Sequence, residues 1–245
     1  MNATYTKYEL LRLIRNKRAF IFSLIFPLAL YLVIAGPNKG NLPDLPVQIS
    51  FRTFYMVSMA GYGAMIAAIS AGARIAVERS TGWNRQLRLT PLPVARYFRT
   101  KVTTSYAMAL VSIALLFAAG LLYGVRISPF SRWLEMTGLL LVGILPFVAM
   151  GVLVGHLLTS DSMGPAIGGG SAFFGFLGGV WYPLPEHGTL HVIGECIPSF
   201  WLTRAGWVGI GAPSWELKGW VVIGIWSIAM AVLAGWAYRR DTKRV

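Results

Sequence analysis

The chain is poor in charged residues, above all in acidic ones. Asp, Glu, Lys and Arg together make up 13% of its 245 residues, whereas a soluble domain carries about 25%. Hydrophobic residues account for 56%. A chain of this composition has too little polar surface to cover a water-soluble fold. The composition therefore argues against a cytosolic enzyme, a disordered protein and a coiled coil.

Cysteine is nearly absent, since Cys196 is the only one. An internal disulfide and an all-cysteine metal site are therefore excluded. His187, His191 and Glu195 fall at helical spacing next to this cysteine, so a metal site is an alternative that the sequence leaves open. Gly188 weakens the helix that such a site needs, and we expect a polar surface there without a bound metal.

Uncharged runs long enough to cross a membrane occur six times. A helix needs about 20 residues to cross about 30 Å of hydrocarbon. A charged residue at mid-bilayer costs roughly 2.5 to 3.5 kcal/mol, so the charges that flank these runs set the edges of the spans. The runs lack the strict alternation that a membrane β-barrel requires. The predicted spans cover residues 19–38, 53–73, 102–125, 136–160, 162–181 and 219–238.

Basic residues are distributed unevenly between the two sides of this predicted bundle. An even number of spans places both termini on one side. The N-terminal segment, the loop between the second and third spans and the C-terminal tail hold five, seven and four Lys and Arg residues, or 16 of the 22. By the positive-inside rule both termini are cytoplasmic. This topology accounts for most of the net charge of +13, and we predict no nucleic-acid partner.

The N-terminal segment, residues 1–18, is predicted to be an amphipathic helix at the membrane interface. Tyr8, Leu11 and Ile14 would form its apolar face, with arginines beside them. A simple basic anchor and a cleaved signal peptide are the alternatives. Pro27 interrupts the apolar run that a signal peptide needs. We therefore divide the chain into this helix and a six-span transmembrane domain, residues 19–245.

Residues 182–218, which we call the outer segment, are too long for a turn and too broken for a span. Four prolines interrupt regular secondary structure in the segment, and several glycines add backbone freedom. We predict two short re-entrant helices that roof a pathway, because irregular backbone persists at membrane depth only against protein or a water-filled cavity. The equally weighted alternative is an ordinary outer loop with interfacial tryptophans.

Residues 74–101, which we call the inner loop, combine basic and aromatic side chains. Residues 75–89 are predicted to form a helix on which Trp83 and Leu87 lie one turn apart, before Pro91 interrupts it. Such a helix suits docking on a partner at the cytoplasmic surface. The alternative is a positive-inside loop that rests on anionic lipid.

Glu78 is an acidic residue of the inner loop close to the second span. We expect it to pair with Arg74, with Arg79 or with a cation of a partner. Since it lies outside every predicted span, the replacement Glu78→Ala is expected to leave the protein inserted and folded.

Glycines four residues apart recur in the spans. This spacing lets helix backbones approach closely, so it predicts tight packing within the bundle, with some of these glycines at a subunit contact. The pairs are Gly120 and Gly124, Gly151 and Gly155, Gly164 and Gly168, and Gly175 and Gly179.

The chain lacks motifs for ATP hydrolysis and for proton-driven transport. Residues 164–171 are rich in glycine but contain no lysine to reach a phosphate, so there is no Walker A motif. No charged residue lies inside a predicted span, which argues against a proton relay. An intramembrane serine protease built on Ser171 would need a histidine within reach of the serine. The sequence argues against it, because His156 lies near the cytoplasmic end of the fourth span. Transport is therefore passive or powered from outside the chain.

Two stretches of the inner loop carry a family pattern. Residues 78–82 read Glu-Arg-Ser-Thr-Gly, and residues 87–92 read Leu-Arg-Leu-Thr-Pro-Leu. This pattern resembles the signature of type-2 ABC exporter permeases. Residues 182–185, Tyr-Pro-Leu-Pro, and 197–201, Ile-Pro-Ser-Phe-Trp, are similar to the outer pattern of that family. With the basic N-terminus, six spans and basic tail, the resemblance covers nearly the whole chain. Within the family, the chain most resembles the bacterial drug- and antibiotic-resistance branch. It differs from that branch at Trp83 and the asparagine that follows it.

The resemblance implies a permease subunit of an ATP-driven exporter. Two permease subunits, expected to be a homodimer, would surround a path lined by the second and fifth spans in a bacterial plasma membrane. Separate ABC ATPase subunits would bind ATP and Mg, so this chain would bind no cofactor and would not be an enzyme. The residues implied in coupling to the ATPase are Glu78, Arg79, Gly82, Trp83, Leu87, Arg88, Thr90 and Pro91. Those implied in an outer gate are Pro183, Pro185, Pro198, Phe200 and Trp201.

The expected substrate is amphipathic or hydrophobic, such as a drug, an antibiotic or a lipid-like molecule, because the spans carry no charge. It would cross the membrane by alternating access. The alternative function is a passive channel or a non-ABC membrane carrier. A channel should show charged or carbonyl-rich filter rings, and no such pattern is visible in the sequence.

Overall fold

The computed structural model describes residues 8, 9, 11, 17–38, 40, 50–83, 86, 89–90, 93–185 and 187–242, and this part of the chain is built from helices joined by turns. Most of the predicted N-terminal helix lies outside the described residues, so its interfacial position stays a prediction. The helices are α1 Lys17–Leu30, continued by a π-helical turn Tyr31–Ala35, α2 Phe51–Ala73, α3 Ile75–Ser80, α4 Val94–Leu122, α5 Phe130–Gly143, α6 Leu145–Leu157, α7 Met163–Leu177, α8 Thr189–Glu195, α9 Pro198–Trp207, followed by a 3-10 turn Val208–Ile210, and α10 Leu217–Thr242.

Four stretches of the described chain are long and apolar enough to cross a membrane. They correspond to the second, third, fourth and sixth predicted spans, which confirms an all-helical protein with several membrane-capable helices. The stretch that matches the fourth predicted span consists of α5 and α6, which meet next to Pro146 in the first turn of α6. The stretches are Phe51–Ser80, Val94–Leu122, Phe130–Leu157 and Leu217–Asp241.

The first and fifth predicted spans are represented by shorter helices. Ser23–Ala35 is an apolar helix below the length of a full span. The helix α7 has 15 residues, a length of about 22 Å, which is less than the hydrocarbon thickness of about 30 Å. The count of six spans therefore stays a prediction.

The helix α2 lies at the centre of the bundle. All of its residues from 54 to 69 are buried, and it packs against α1, α4, α6, α7 and α9. The chain's own helices cover residues 54 to 69 of α2, and the expectation that the second span lines a path between two subunits stays a prediction. By contrast, α7 leaves Phe173 and Phe176 exposed.

The helices α2 and α6 cross with their backbones close together. A Cβ atom on Gly151 would lie 2.6 Å from a carbonyl oxygen of α2, and one on Gly155 would lie 2.8 Å from the carbonyl oxygen of Gly72. Backbone atoms thus approach to a distance that only glycine permits, as predicted for tight packing in the bundle. A Cβ atom on Gly164 or Gly168 would meet nothing within 4 Å, so a subunit contact at that pair stays a prediction.

The other two glycine pairs do not run along a helix crossing. Gly120 packs against the side chain of Met56. A Cβ atom on Gly175 would lie 2.9 Å from the ring of Tyr62. Their partners Gly124 and Gly179 follow the ends of helices, with φ of 82° and 69°. The second glycine of each pair therefore serves a helix end, where the left-handed backbone favours glycine.

Arg52 links the start of α2 to the end of the π-helical turn and to the end of α4. Its guanidinium donates hydrogen bonds to the carbonyl oxygens of Ala35 and Tyr123, each at 3.3 Å, and to that of Gly36. These carbonyl groups follow the π-helical turn and α4, where helices leave acceptors unsatisfied. Arg52 therefore stabilises the end of the bundle opposite to Glu78.

Candidate functional site

The second span continues into the inner loop through α3, which is shorter than predicted. The helix ends at Ser80, and Gly82 follows with φ of 71°. The hydroxyl groups of Ser80 and Thr81 donate to the carbonyl oxygen of Val77 at 2.9 and 3.0 Å, which satisfies the backbone at the helix end. The prediction of one helix over residues 75–89 is therefore wrong, because the left-handed glycine interrupts it.

Glu78 lies in a buried ion-pair cluster with Lys101 of α4 and Glu9 of the N-terminal segment. The Nζ atom of Lys101 lies 2.5 Å from a carboxylate oxygen of each glutamate. Glu78 and Lys101 are 2% and 1% exposed. Lys101 is a partner of Glu78 that the sequence analysis did not name, since α3 holds this carboxylate against α4 within the same chain. Pairing of Glu78 with a cation of a partner stays a prediction.

This cluster joins three segments of the chain through a single ammonium group. A buried charge costs several kcal/mol unless it is paired and hydrogen-bonded, and an ammonium has three donors with which to satisfy carboxylates. The ring of Tyr97 adds a cation–π contact, with its centroid 5.4 Å from Lys101 Nζ. Lys101 therefore holds the N-terminal segment, α3 and α4 together.

Arg79, the next residue, makes its contacts with other helices. Its Nε atom lies 3.0 Å from the carboxylate of Asp241 near the end of α10. Its Nη1 atom donates to the carbonyl oxygens of His156 at 2.7 Å and of Leu158 at 3.3 Å. These acceptors lie at the C-terminal end of α6, where a cation is favoured by unsatisfied carbonyl groups and by the helix dipole.

Glu78 and Arg79 therefore attach α3 to two different groups of helices. Glu78 binds the side that contains α4 and the N-terminal segment, whereas Arg79 binds the ends of α6 and α10. We call the end of the bundle that carries Glu78, Lys101 and Asp241 the charged end. A displacement of α3 would act on both groups of helices at once.

Three residues of this site were missed from the sequence. Lys101 was read as a flank of the third span, and His156 was considered only for a protease. Asp241 was not singled out, although it is an acidic residue within a strongly basic tail. That isolated charge was the available signal, but its partner on α3 is far away in sequence.

The remaining coupling residues lie after the turn at Gly82. Trp83 is half-buried and Thr90 is exposed, and Leu89, which precedes Thr90, is 88% exposed. Leu87, Arg88 and Pro91 lie outside the described residues. The roles of all these residues in coupling stay predictions.

The outer segment contains the two short helices that were expected, α8 and α9. Phe200 and Trp201 are buried, and the indole of Trp201 donates to the carbonyl oxygen of Glu195 at 2.8 Å. Pro198 begins α9, while Pro183 is half-buried and Pro185 exposed. The segment packs on the bundle, since α9 contacts α2 and α5. Membrane re-entry and the gate role stay predictions.

The polar residues of the outer segment form an ion pair. The Nζ atom of Lys218 lies 2.5 Å from Glu195, whose other oxygen lies 3.6 Å from His191 Nε2. The hydrogen bond from Lys218 holds the pKa of Glu195 below its usual value. Within the described ranges, no group of three or more His, Cys, Asp and Glu residues is arranged to hold a metal ion.

Comparisons with known proteins relate the chain to membrane transporters. Residues 46–238 match the family model described as ABC-2 family transporter protein. Over 219 residues, the chain is 32% identical to the Bacillus subtilis (strain 168) protein named "Putative transport permease YvfS", a match that covers 85% of each chain. Glu78, Arg79, Lys101 and His156 fall within the family match, whereas Asp241 lies just beyond it.

Proposed function

The chain belongs to the ABC-2 family of transporter membrane proteins, and from this premise we propose that it is the permease subunit of an ATP-driven exporter. It is a multi-pass membrane protein of a transport permease family. The proposal adds a separate ABC ATPase, which supplies the energy and binds ATP and Mg. The observation that carries this proposal is the attachment of α3 to both helix groups through Glu78 and Arg79.

The surface beyond α3 supports docking of the ATPase. Leu89 and Val77 are exposed apolar side chains, and Trp83 is half-buried close to them in the sequence. Large apolar and aromatic side chains contribute most of the binding energy in protein interfaces. Movement of a docked ATPase would displace α3, and the two ion clusters would transmit that movement to α4, α6 and α10.

The proposed substrate is an amphipathic or hydrophobic molecule, exported by alternating access. The support is that the six predicted spans contain no Asp, Glu, Lys or Arg. A second copy of the chain would complete the path. The helix α7 is suited to this contact, because it leaves Phe173 and Phe176 exposed and has open space beside Gly164 and Gly168, where small residues allow close helix approach.

The charged end is proposed to face the cytoplasm of a bacterial cell. Reporter domains fused after Val245 or inserted near Gln86 should report a cytoplasmic position, and one inserted near Gly40 should report an external position. The reason is that 16 of the 22 Lys and Arg residues lie on the side of the termini and the inner loop. An external signal at Val245 would contradict the six-span arrangement.

Leu89→Asp tests the proposed ATPase contact. It should weaken binding of the ATPase by roughly 30-fold, as loss of an interface residue worth about 2 kcal/mol does. The permease itself should fold normally, because Leu89 is 88% exposed. Binding is measured by pull-down and titration of the ATPase against the permease in nanodiscs.

Leu217→Asp is the matched control, because this leucine is 79% exposed at the start of α10. It should leave ATPase binding at the parent level. Equal binding by the parent and the Leu89→Asp variant would reject the docking surface. Substrate passage through the permease alone, without ATPase, would instead support the passive channel or carrier.

A further inference from the structure

Asp241 occupies a central position at the charged end, although it lies near the end of the last helix. One carboxylate oxygen is 3.0 Å from Arg79 Nε, and the other is 3.1 Å from His156 Nδ1. Its side chain is 12% exposed. Its two preceding neighbours, Arg239 and Arg240, are exposed, so Asp241 is turned inward from a basic surface.

We propose that Asp241 is a positioning residue for energy coupling. It fixes Arg79 so that movement of α3 is carried into α6 and α10. This inference rests on the proposed function, since it assumes that an ATPase moves α3. It assigns a role to a residue of the last helix, beyond the inner loop.

The geometry of the guanidinium explains why one carboxylate has this effect. The donors of arginine lie in a rigid plane, so fixing one edge fixes the others. Asp241 holds the Nε edge, while Nη1 donates to the carbonyl oxygens of His156 and Leu158. Without the carboxylate, Arg79 would be free to turn about its side-chain bonds and to leave the end of α6.

His156 fixes the carboxylate in turn. Its imidazole is 1% exposed and its ring packs edge-on to Tyr238 of α10, with centroids 5.5 Å apart. Its Nε2 atom is buried and makes no hydrogen bond to any residue that the structure describes. A neutral ring with its proton on Nδ1 fits both nitrogens, because it donates to Asp241 and leaves no proton on Nε2 without an acceptor.

The cluster around Lys101 makes the inference testable apart from folding. Glu78 anchors α3 to α4 without any contact from Asp241. The replacement Asp241→Asn should therefore leave α3 attached to one group of helices and detach it from the other. The protein should remain folded and bind the ATPase while the movement fails to reach α10.

Cys196 offers a direct readout of that movement. It is the only cysteine of the chain and it is exposed. Its carbonyl oxygen accepts a hydrogen bond from Trp226 of α10 at 2.9 Å. An environment-sensitive fluorophore attached to Cys196 therefore lies against the last helix, far from the charged end.

The experiment uses the labelled permease in nanodiscs, bound to a cysteine-free form of its ATPase. The fluorescence change on adding ATP with vanadate is compared among the parent, Asp241→Asn, Asp241→Glu and Asp161→Asn. Asp161 is exposed in the turn before α7, so its variant is the control for loss of one negative charge. We expect Asp241→Asn to reduce the change at least about fivefold with unaltered ATPase binding, Asp241→Glu to restore part of it, and Asp161→Asn to match the parent.

A second measurement tests positioning without the ATPase. Amide hydrogen exchange of the permease alone should rise in peptides covering residues 75–83 and 153–160 in Asp241→Asn, and not in Asp161→Asn. A parent-like fluorescence change in Asp241→Asn would overturn the inference and leave the proposed function standing. Failure to recover folded Asp241→Asn protein would have the same meaning. If the parent shows no ATP-dependent change, the proposed function fails and the inference falls with it, whatever the exchange result.

Discussion

Lys101→Met should destabilise the folded protein by about 3 to 5 kcal/mol, because it removes the cation that two buried carboxylates share. Glu9 and Glu78 each have a carboxylate oxygen 2.5 Å from the Lys101 ammonium. Methionine fills a similar volume but supplies no positive charge. Two carboxylates would then face each other in a site that water does not reach.

The stability change is measured as the shift of the denaturant unfolding curve of the permease in nanodiscs. Lys218→Met is the matched control, since Lys218 also pairs with a glutamate at 2.5 Å but is 49% exposed. An exposed ion pair contributes little to stability because solvent screens it, so the control should unfold near the parent. Equal shifts for the two variants would mean that burial of the cluster is unimportant.

A compensated variant separates charge from packing. Combining Lys101→Met with Glu9→Gln and Glu78→Gln removes all three charges and should recover part of the lost stability, since two buried negative charges no longer face each other. If this triple variant is less stable than Lys101→Met, the loss comes from packing and the electrostatic explanation is wrong.

The helices could be predicted from the sequence, because apolar runs and their charged flanks follow from the cost of placing charge in hydrocarbon. Their ends could not. The third predicted span begins at residue 102, whereas α4 begins at Val94 and includes Lys101. A charged residue marks the edge of the membrane, but a helix continues through it when a partner satisfies the charge.

The candidate site, too, could be predicted only in part from the sequence. The inner loop and its Glu78 and Arg79 could be found from the family resemblance, but their counter-ions could not be found from spacing. Lys101 and Asp241 are placed there by helix packing, over distances that no local motif encodes. One consequence is that Glu78→Ala, first expected to leave the fold unaffected, should destabilise it, because it removes one of the two carboxylates bound to Lys101.

The four glycine pairs illustrate why identical spacing has different outcomes. Spacing places two glycines on one face of a helix but does not say which neighbour that face meets. Gly151 and Gly155 face the backbone of α2, whereas a Cβ atom on Gly164 or Gly168 would meet no atom within 4 Å among the residues that the structure describes. Substitution at the two pairs should therefore have opposite consequences for folding.

Gly151→Val should prevent the bundle from packing. A Cβ atom at this position would lie 2.6 Å from the carbonyl oxygen of Ile69 and 2.9 Å from its Cα atom. Both are backbone atoms of the central helix, so no side-chain rotation relieves the overlap. Overpacking of a core costs typically about 1 to 3 kcal/mol when side chains can adjust, and we expect at least the upper end here.

Gly168→Val provides the control, because it makes the same chemical change in a helix with open space around the new side chain. Valine is intrinsically more favourable than glycine within a helix, so it should not reduce the stability of the single chain. Both variants are compared by yield of monodisperse protein and by thermal unfolding in nanodiscs. Gly151→Val should lose most of the folded protein, whereas Gly168→Val should retain it. If Gly168→Val folds but no longer forms the proposed dimer, α7 is the subunit contact. Equal stability of the two variants would mean that the crossing of α2 and α6 can open to accept a larger residue.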